Sequence, residues 1–277
     1  MIPPLLHFTF GFKAGDPFEL WHYLAVATAV GVNKPQTTFV YYHHRPQGVW
    51  WEQLEVLPSV VTEHVDPPRQ IFDRPLCHFA HQSDVVRLCK LLDRGGIYLD
   101  MDTICVRPLT PLLQNECVMG VQRGHGLCNA VIMAEPQSVF LTHWRDAYRT
   151  FRSTGVDRSY DEHSVLVPAV LAQTEQLRQH ITVLDDRAFF FPLWTHLELL
   201  FESTDMSLFE NSYVVHLWEL LTTEPWLRRI TMQWLETSPC NYATMARKGS
   251  SSLFLSARSA KSELAVKPLV PVPTTNV

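Results

Sequence analysis

The sequence predicts an α/β domain in which a mixed, mostly parallel sheet is flanked by helices. Two observations carry this. Apolar, β-branched runs alternate with helical patterns as far as residue 65, and a Gly-Gly pair then separates a helix from a short apolar run ending in two aspartates. Such alternation requires crossover connections, which set parallel strands side by side with helices on the faces. Composition agrees. The chain has 277 residues, 46 % hydrophobic and 18 % charged, an ordinary globular balance that can bury one large core or two small ones.

Leu5 to Phe10 follows Pro3-Pro4 as an apolar run and reads as the first strand. Asp16 and Pro17 suit the cap and first turn of a helix, in which Phe18, Trp21, Ala25 and Ala29 recur at helical spacing. Residues 37–42 are β-branched and aromatic, a second strand. A helix is expected over 50–57 and a third strand over 60–65. Pro67-Pro68 opens a loop, and a helix over 77–93 follows, with Val85, Leu88, Cys89 and Leu92 as its buried stripe. Gly95-Gly96 ends it, because glycine takes left-handed cap conformations at little cost. Ile97-Tyr98-Leu99 then runs as a strand into Asp100-Met101-Asp102. Further strands are expected over 118–122, 130–134 and at Val214-Val215, and helices over 137–149 and 164–173. A domain over 1–240 and a C-terminal extension over 241–277, at least partly mobile, complete the reading.

A net charge of −5 with scattered Lys and Arg builds no basic stripe, so nucleic acid is excluded as a partner. The longest apolar stretch, residues 20–32, is too short to span a bilayer, and the first residues lack the pattern of a signal peptide. Six cysteines without metal-ligand spacing, and the lack of any Asn-x-Ser/Thr, favour a cytoplasmic setting; a Golgi-lumen enzyme trimmed of its anchor would look the same.

Alternate residues of an extended segment face one way, so Asp100 and Asp102 project together while Met101 points into the sheet. Carboxylates at the carboxyl end of a parallel strand lie where open α/β sheets place ligands. Their hard oxygens suit Mn²⁺ or Mg²⁺ bridging to a diphosphate. Asp84 and Arg87 share a face of the preceding helix, which on its own reads as a surface ion pair.

The run Ser83-Asp84-Val85-Val86-Arg87, followed by Gly95-Gly96-Ile97-Tyr98-Leu99-Asp100-Met101-Asp102, closely resembles the DxD sugar-binding region of glycosyltransferase family 32 and its relatives. Ile2-Pro3-Pro4-Leu5-Leu6-His7-Phe8, Asn129 to Ala134 and Val215-His216-Leu217-Trp218 are similar to that family's opening, middle and closing elements. The resemblance implies a GT-A nucleotide-diphospho-sugar transferase fold and a hexosyl- or pentosyltransferase, retaining more readily than inverting. The donor would be a nucleotide sugar, UDP-sugar first, and the acceptor a hydroxyl of a glycan or other molecule. It also implies roles. Asp84 and Arg87 would hold donor hydroxyls and phosphates, and Tyr98, Phe8, Phe10 and Trp218 would line the donor pocket. Asp100 would contact ribose or sugar, Asp102 would bind the metal with Asp100 and His216 beside it, and Asn129 would face the reacting carbon. An inverting enzyme would need a carboxylate base, for which Asp161 and Glu162 are the candidates. His43-His44 reads as a surface loop.

Two rivals remain at this level. Asp100-Met101-Asp102-Thr103 also fits the signature of haloacid-dehalogenase-like phosphatases, with Asp185-Asp186 as a later acidic pair. That chemistry needs an intervening lysine, and none lies between Lys90 and Lys248. The other rival is a transferase-like domain that only binds sugar or a partner protein.

Overall fold

The computed structural model describes residues 1–251. Strands are β1 (Leu5–Phe10), β2 (Thr37–Tyr42), β3 (Val60–His64), the short hairpin β4 (Gln70–Ile71) and β5 (Arg74–Pro75), β6 (Gly96–Leu99), β7 (Thr103–Cys105), β8 (Cys117–Gln122), β9 (Gly126–Ala134), β10 (Thr182–Leu184) and β11 (Val214–His216). Seven form one sheet in the order β10-β8-β9-β6-β1-β2-β3. β6, β1, β2 and β3 pair in parallel, as do β10 and β8, while β9 runs antiparallel to both neighbours. The mixed, mostly parallel sheet expected from the sequence is the one observed.

The sheet buries both faces, and its alternation shows how. Ile97, Leu99, Val118, Val131 and Met133 point into one core, and Tyr98, Cys117, Met119, Ile132 and Ala134 into the other. Helices α1 (Leu20–Asn33) and α2 (Val49–Glu55) cover the first face, and α3 (Phe79–Arg94) and α4 (Val139–Ala147) the second. Short helices α5 (Val167–Leu171), α6 (Asp186–Phe189), α7 (Glu198–Phe201), α8 (Glu219–Thr222) and α9 (Met232–Thr237) fill the later part. Residues 241–251 are helical, and Tyr242, Ala243, Met245 and Ala246 join the first core. The expected extension thus starts as a packed helix, and the mobile tail expected beyond it lies outside the described residues. Among the described residues no helix is long and apolar enough to cross a membrane.

Three local expectations are corrected. The first helix starts at Leu20, not at the Asp16-Pro17 pair. Phe18 is drawn against Phe10 and Trp51, with ring centroids at 5.0 and 5.2 Å, which holds residues 16–19 out of the helix. The helix is capped instead by the Glu19 N–H donating to His22 Nδ1 at 2.9 Å. In α3, Cys89 is exposed, and the buried set runs through His81, Asp84, Val85, Val86, Arg87, Leu88, Leu91 and Leu92. The helix over 164–173 is a π turn at Glu162–Leu166 leading into α5.

The α3-β6 junction fixes where the site begins. Gly96 has φ +118°, and a Cβ there would lie 2.7 Å from the Leu5 carbonyl oxygen and 2.8 Å from His7 Nε2. Only glycine lets β6 approach β1 this closely. His7 is buried, with Nε2 2.8 Å from the Gly95 carbonyl and Nδ1 2.9 Å from the Tyr41 hydroxyl. Nε2–H therefore donates to Gly95 and Nδ1 accepts from Tyr41. Burial pushes the imidazole down to about 4; the Gly95 carbonyl opposes this, and the Arg94 and Lys90 charges add to it. The unfolded chain then binds the extra proton first, so the contribution of His7 is complete above about pH 6.5 and is lost as pH falls toward 4. It amounts to about 3 kcal/mol across that window. Urea midpoints should drop between pH 7 and 4, and His7→Gln should flatten that slope. An unchanged slope in the variant would assign the acid sensitivity to other groups.

Candidate active site

β6 ends at Leu99 and does not continue through the aspartates. The Asp100 N–H donates to the Ala130 carbonyl at 2.9 Å and the Thr103 hydroxyl to the Asp100 carbonyl at 2.8 Å, closing a turn that sends the chain back along β7. Met101 is buried in the core, and Asp100 and Asp102 both line the cleft. The expected convergence is present, but a turn produces it, not an extended strand.

β7 pairs antiparallel with β11, setting His216 opposite Thr103, and the Leu217 N–H donates to the Asp102 carbonyl at 2.7 Å. This brings residues 114 apart in sequence together: His216 Nε2 lies 3.1 Å from Asp102 Oδ2. Trp218 takes a left-handed φ of 56°, a conformation uncommon for a bulky residue, and the turn aims the Glu219 N–H at Asp102 Oδ2, 2.8 Å away. Burial would raise the Asp102 carboxyl, but the His216 imidazole and the Glu219 N–H outweigh it and hold it below the ordinary value. The same pair works in reverse on His216, where burial favours the neutral ring and Asp102 raises it.

α3 supplies the other half. Asp84 and Arg87 are not a surface pair; each is only 6 % exposed. Arg87 reaches Asp100 Oδ1 at 3.0 Å, Asp84 Oδ1 at 3.3 Å and the Asn129 carbonyl at 2.9 Å, with its guanidinium 4.3 Å from the Tyr98 ring centre. Asn129 Nδ2 donates to Asp84 Oδ1 at 2.7 Å, so Asn129 is tied down by the α3 carboxylate. Burial raises the carboxyls of Asp84 and Asp100 despite the Arg87 charge beside them.

Tyr98, expected in the pocket wall, is buried beneath it. Its hydroxyl donates to Asp100 Oδ1 at 2.7 Å and, its one proton spent, accepts from Thr9. Thr9 in turn meets Ser83 at 2.7 Å, and Arg87 donates to Ser83 at 3.3 Å. Asp100 is thereby fixed through a chain of hydroxyls from β1 and α3. Phe8 is corrected outright: it is fully buried in the core and cannot touch a ligand, whereas Phe10, two residues on, lines the cleft. Trp218 lines it as well, its Nε1–H held by the Pro192 carbonyl at 2.9 Å. Asp161 lines the cleft but is paired with His125, and Glu162 is bound to Arg152 at 2.8 Å. Asp185 and Asp186 do not line it; Asp186 pairs with Arg123 at 3.0 Å. His43 packs beside His64 and Asp66 at the far edge of the sheet. Sequence reading gave no role to Thr9, Ser83, Tyr160, Trp194 and Glu219; of these Ser83, at the head of the matched run, and Glu219, directly after the His-x-Trp element, carried a positional signal.

A divalent cation fits here. Donor atoms of Asp100, Asp102 and His216 all lie within 4.8 Å of one another, a carboxylate-rich set that suits Mn²⁺ or Mg²⁺. His216 Nδ1 is buried without a hydrogen-bond partner among the described residues, and three carboxylates face one guanidinium and one imidazole. The site is short of positive charge.

A mixed, mostly parallel sheet with two carboxylates in the turn after β6, a buried arginine beside them and a returning histidine is the architecture of a GT-A glycosyltransferase domain. The comparisons place the chain within that class. Residues 34–119 match the glycosyltransferase sugar-binding region containing the DXD motif, and residues 167–238 match the alpha 1,4-glycosyltransferase conserved region. Glucan organizing enzyme 1 of Cryptococcus neoformans var. grubii is 32 % identical over 269 residues, covering 89 % of this chain and 70 % of that protein. The chain belongs to the DXD-containing glycosyltransferase family. Two structures of the glycosyltransferase GlyE of Streptococcus pneumoniae share its fold, with TM-scores of 0.51 and 0.50 at 14 % and 12 % identity over 95 % of this chain; the chain spans 64 % of their length.

Proposed function

We propose that this glycosyltransferase moves a sugar from a nucleotide diphosphate sugar, UDP-sugar first, to a hydroxyl of a glycan acceptor. Asp100, Asp102 and His216 would hold Mn²⁺ or Mg²⁺. The observation that carries the reading is the convergence of those three side chains beside Arg87 at the mouth of the sheet. A bound divalent cation supplies charge to a leaving diphosphate. Arg87, buried and fixed, offers a guanidinium to the same negative charge, and Asp84 with Asn129 presents polar atoms at the place where a donor sugar would lie. Phe10 lines the same cleft and would offer an aromatic face to the base of the nucleotide. A glycan acceptor also accords with the name of the fungal relative.

Retention at the anomeric carbon is the stereochemistry we favour, because the resemblance is to retaining enzymes and both sequence-predicted bases, Asp161 and Glu162, are engaged by His125 and Arg152. The leaving phosphate oxygen then takes the acceptor's proton.

Calorimetry with UDP should show binding in Mn²⁺ that weakens at least about tenfold in EDTA, since that corresponds to only about 1.4 kcal/mol of a metal bridge. Equal affinity in both conditions would remove the metal from the reading. Release of phosphate from simple phosphomonoesters, lost in Asp100→Asn, would replace it with phosphatase chemistry.

A further inference from the structure

The cleft has three lobes. One of about 320 Å³ carries Thr9, Phe10, Arg87, Asp100 and Asp102; a second of about 580 Å³ carries Asp84, Asn129, His216 and Trp218. The third and largest, about 850 Å³, runs outward past Lys13, Glu19, Trp21, Glu224 and Arg228. Among the described residues only Glu219 and Tyr160 line all three. They stand where the donor lobes open into the outer one.

Glu219 is built for a fixed position. Its Oε1 accepts from Trp21 Nε1 at 3.0 Å and meets His22 Nε2 at 2.8 Å. His22 Nδ1 already accepts from the Glu19 N–H, so its neutral ring carries the proton on Nε2 and donates to Glu219. Among the described residues Glu219 Oε2 has no hydrogen-bond partner, and the side chain is 36 % exposed. The Tyr160 hydroxyl likewise has no hydrogen-bond partner among the described residues, while the Tyr160 carbonyl lies 2.9 Å from His81 Nε2. The carboxylate thus spends one oxygen on α1 and offers the other to the junction.

We propose, resting on the transferase reading, that Glu219 Oε2 together with the Tyr160 hydroxyl binds a sugar hydroxyl of the acceptor at this junction and sets acceptor specificity. An anchored carboxylate accepts hydrogen bonds from hydroxyls without paying to order its own side chain. Glutamine at this position keeps an oxygen for Trp21 and His22 but turns the free acceptor into a donor.

The test is Glu219→Gln, assayed with UDP-glucose, UDP-galactose and GDP-mannose in Mn²⁺, with methyl glycosides, lactose and maltose as acceptors. Hydrolysis of the same donor, in which water is the acceptor, is measured alongside. Transfer should fall relative to hydrolysis by about tenfold or more, mostly through acceptor KM, and Tyr160→Phe should move the same ratio in the same direction. If transfer and hydrolysis fall in equal proportion, Glu219 acts as a base or through its backbone hold on Asp102, and the acceptor role is overturned. If the wild-type protein uses none of the three donors, the transferase reading fails and this inference fails with it. If the wild type transfers and the variant keeps its ratio, only this inference fails.

Discussion

Arg87→Ala should destabilise the fold by about 3–5 kcal/mol and reduce donor turnover by about 10²-fold or more. The sequence alone suggests otherwise, because a helix pair three residues apart usually lies in solvent, where it contributes about 0–1 kcal/mol. Here both partners are buried, and Arg87 also answers Asp100, the Asn129 carbonyl and the Tyr98 ring. Removing it leaves two carboxylates in a low-dielectric site without the guanidinium that faces them. Arg87→Lys separates the two effects. It restores a charge but not the planar fork that reaches Asp84 and Asp100 together, so stability should recover further than turnover. Urea denaturation and nucleotide diphosphate release on the three proteins measure both. If Arg87→Ala melts within about 0.5 kcal/mol of wild type, a change typical of exposed sites, the burial of this pair is refuted.

That contrast shows where the sequence was legible and where it stopped. Strand and helix alternation located β1, β2, β3, β6, α2 and α3, since long amphipathic or β-branched runs report their own periodicity. β7 and β10 have three residues each and carry no period to read. The two aspartates and His216 could be picked out because glycine, strand and motif order frame them. Their meeting depends on the β7-β11 pairing, which no local pattern announces. Asp84 and Arg87 were placed on one face correctly, but charge on a helix argues for solvent until the partners that compensate it are seen. Phe8 and Phe10 face different surroundings because β1 leaves the core at its carboxyl end, so the residue two positions further on reaches the cleft. Tyr98 reads as a pocket residue by motif, and only its hydroxyl bond to Asp100 shows it acting from beneath.

Asp102→Asn should have the larger effect on catalysis, a fall in donor turnover of about 10³-fold, with a smaller loss of stability of about 1–3 kcal/mol. The amide keeps the shape and one acceptor oxygen, so either the Glu219 N–H or His216 can still be satisfied. It removes the negative charge that the buried His216 faces, and with it one of the two hard anionic ligands of the set. Arg87→Ala leaves that ligand set whole, whereas this change reduces it to one carboxylate and one imidazole. The distinguishing measurement is a Mn²⁺ titration followed both by donor turnover and by direct ion binding without nucleotide. Binding should weaken by about tenfold or more, equivalent to about 1.4 kcal/mol, and excess Mn²⁺ should not restore wild-type turnover. Circular dichroism melting checks that the variant is folded at the assay temperature. A folded Asp102→Asn protein that turns over donor at the wild-type rate would show that the turn after β6 is not the seat of the chemistry, and the search would move to the outer lobe around Glu219.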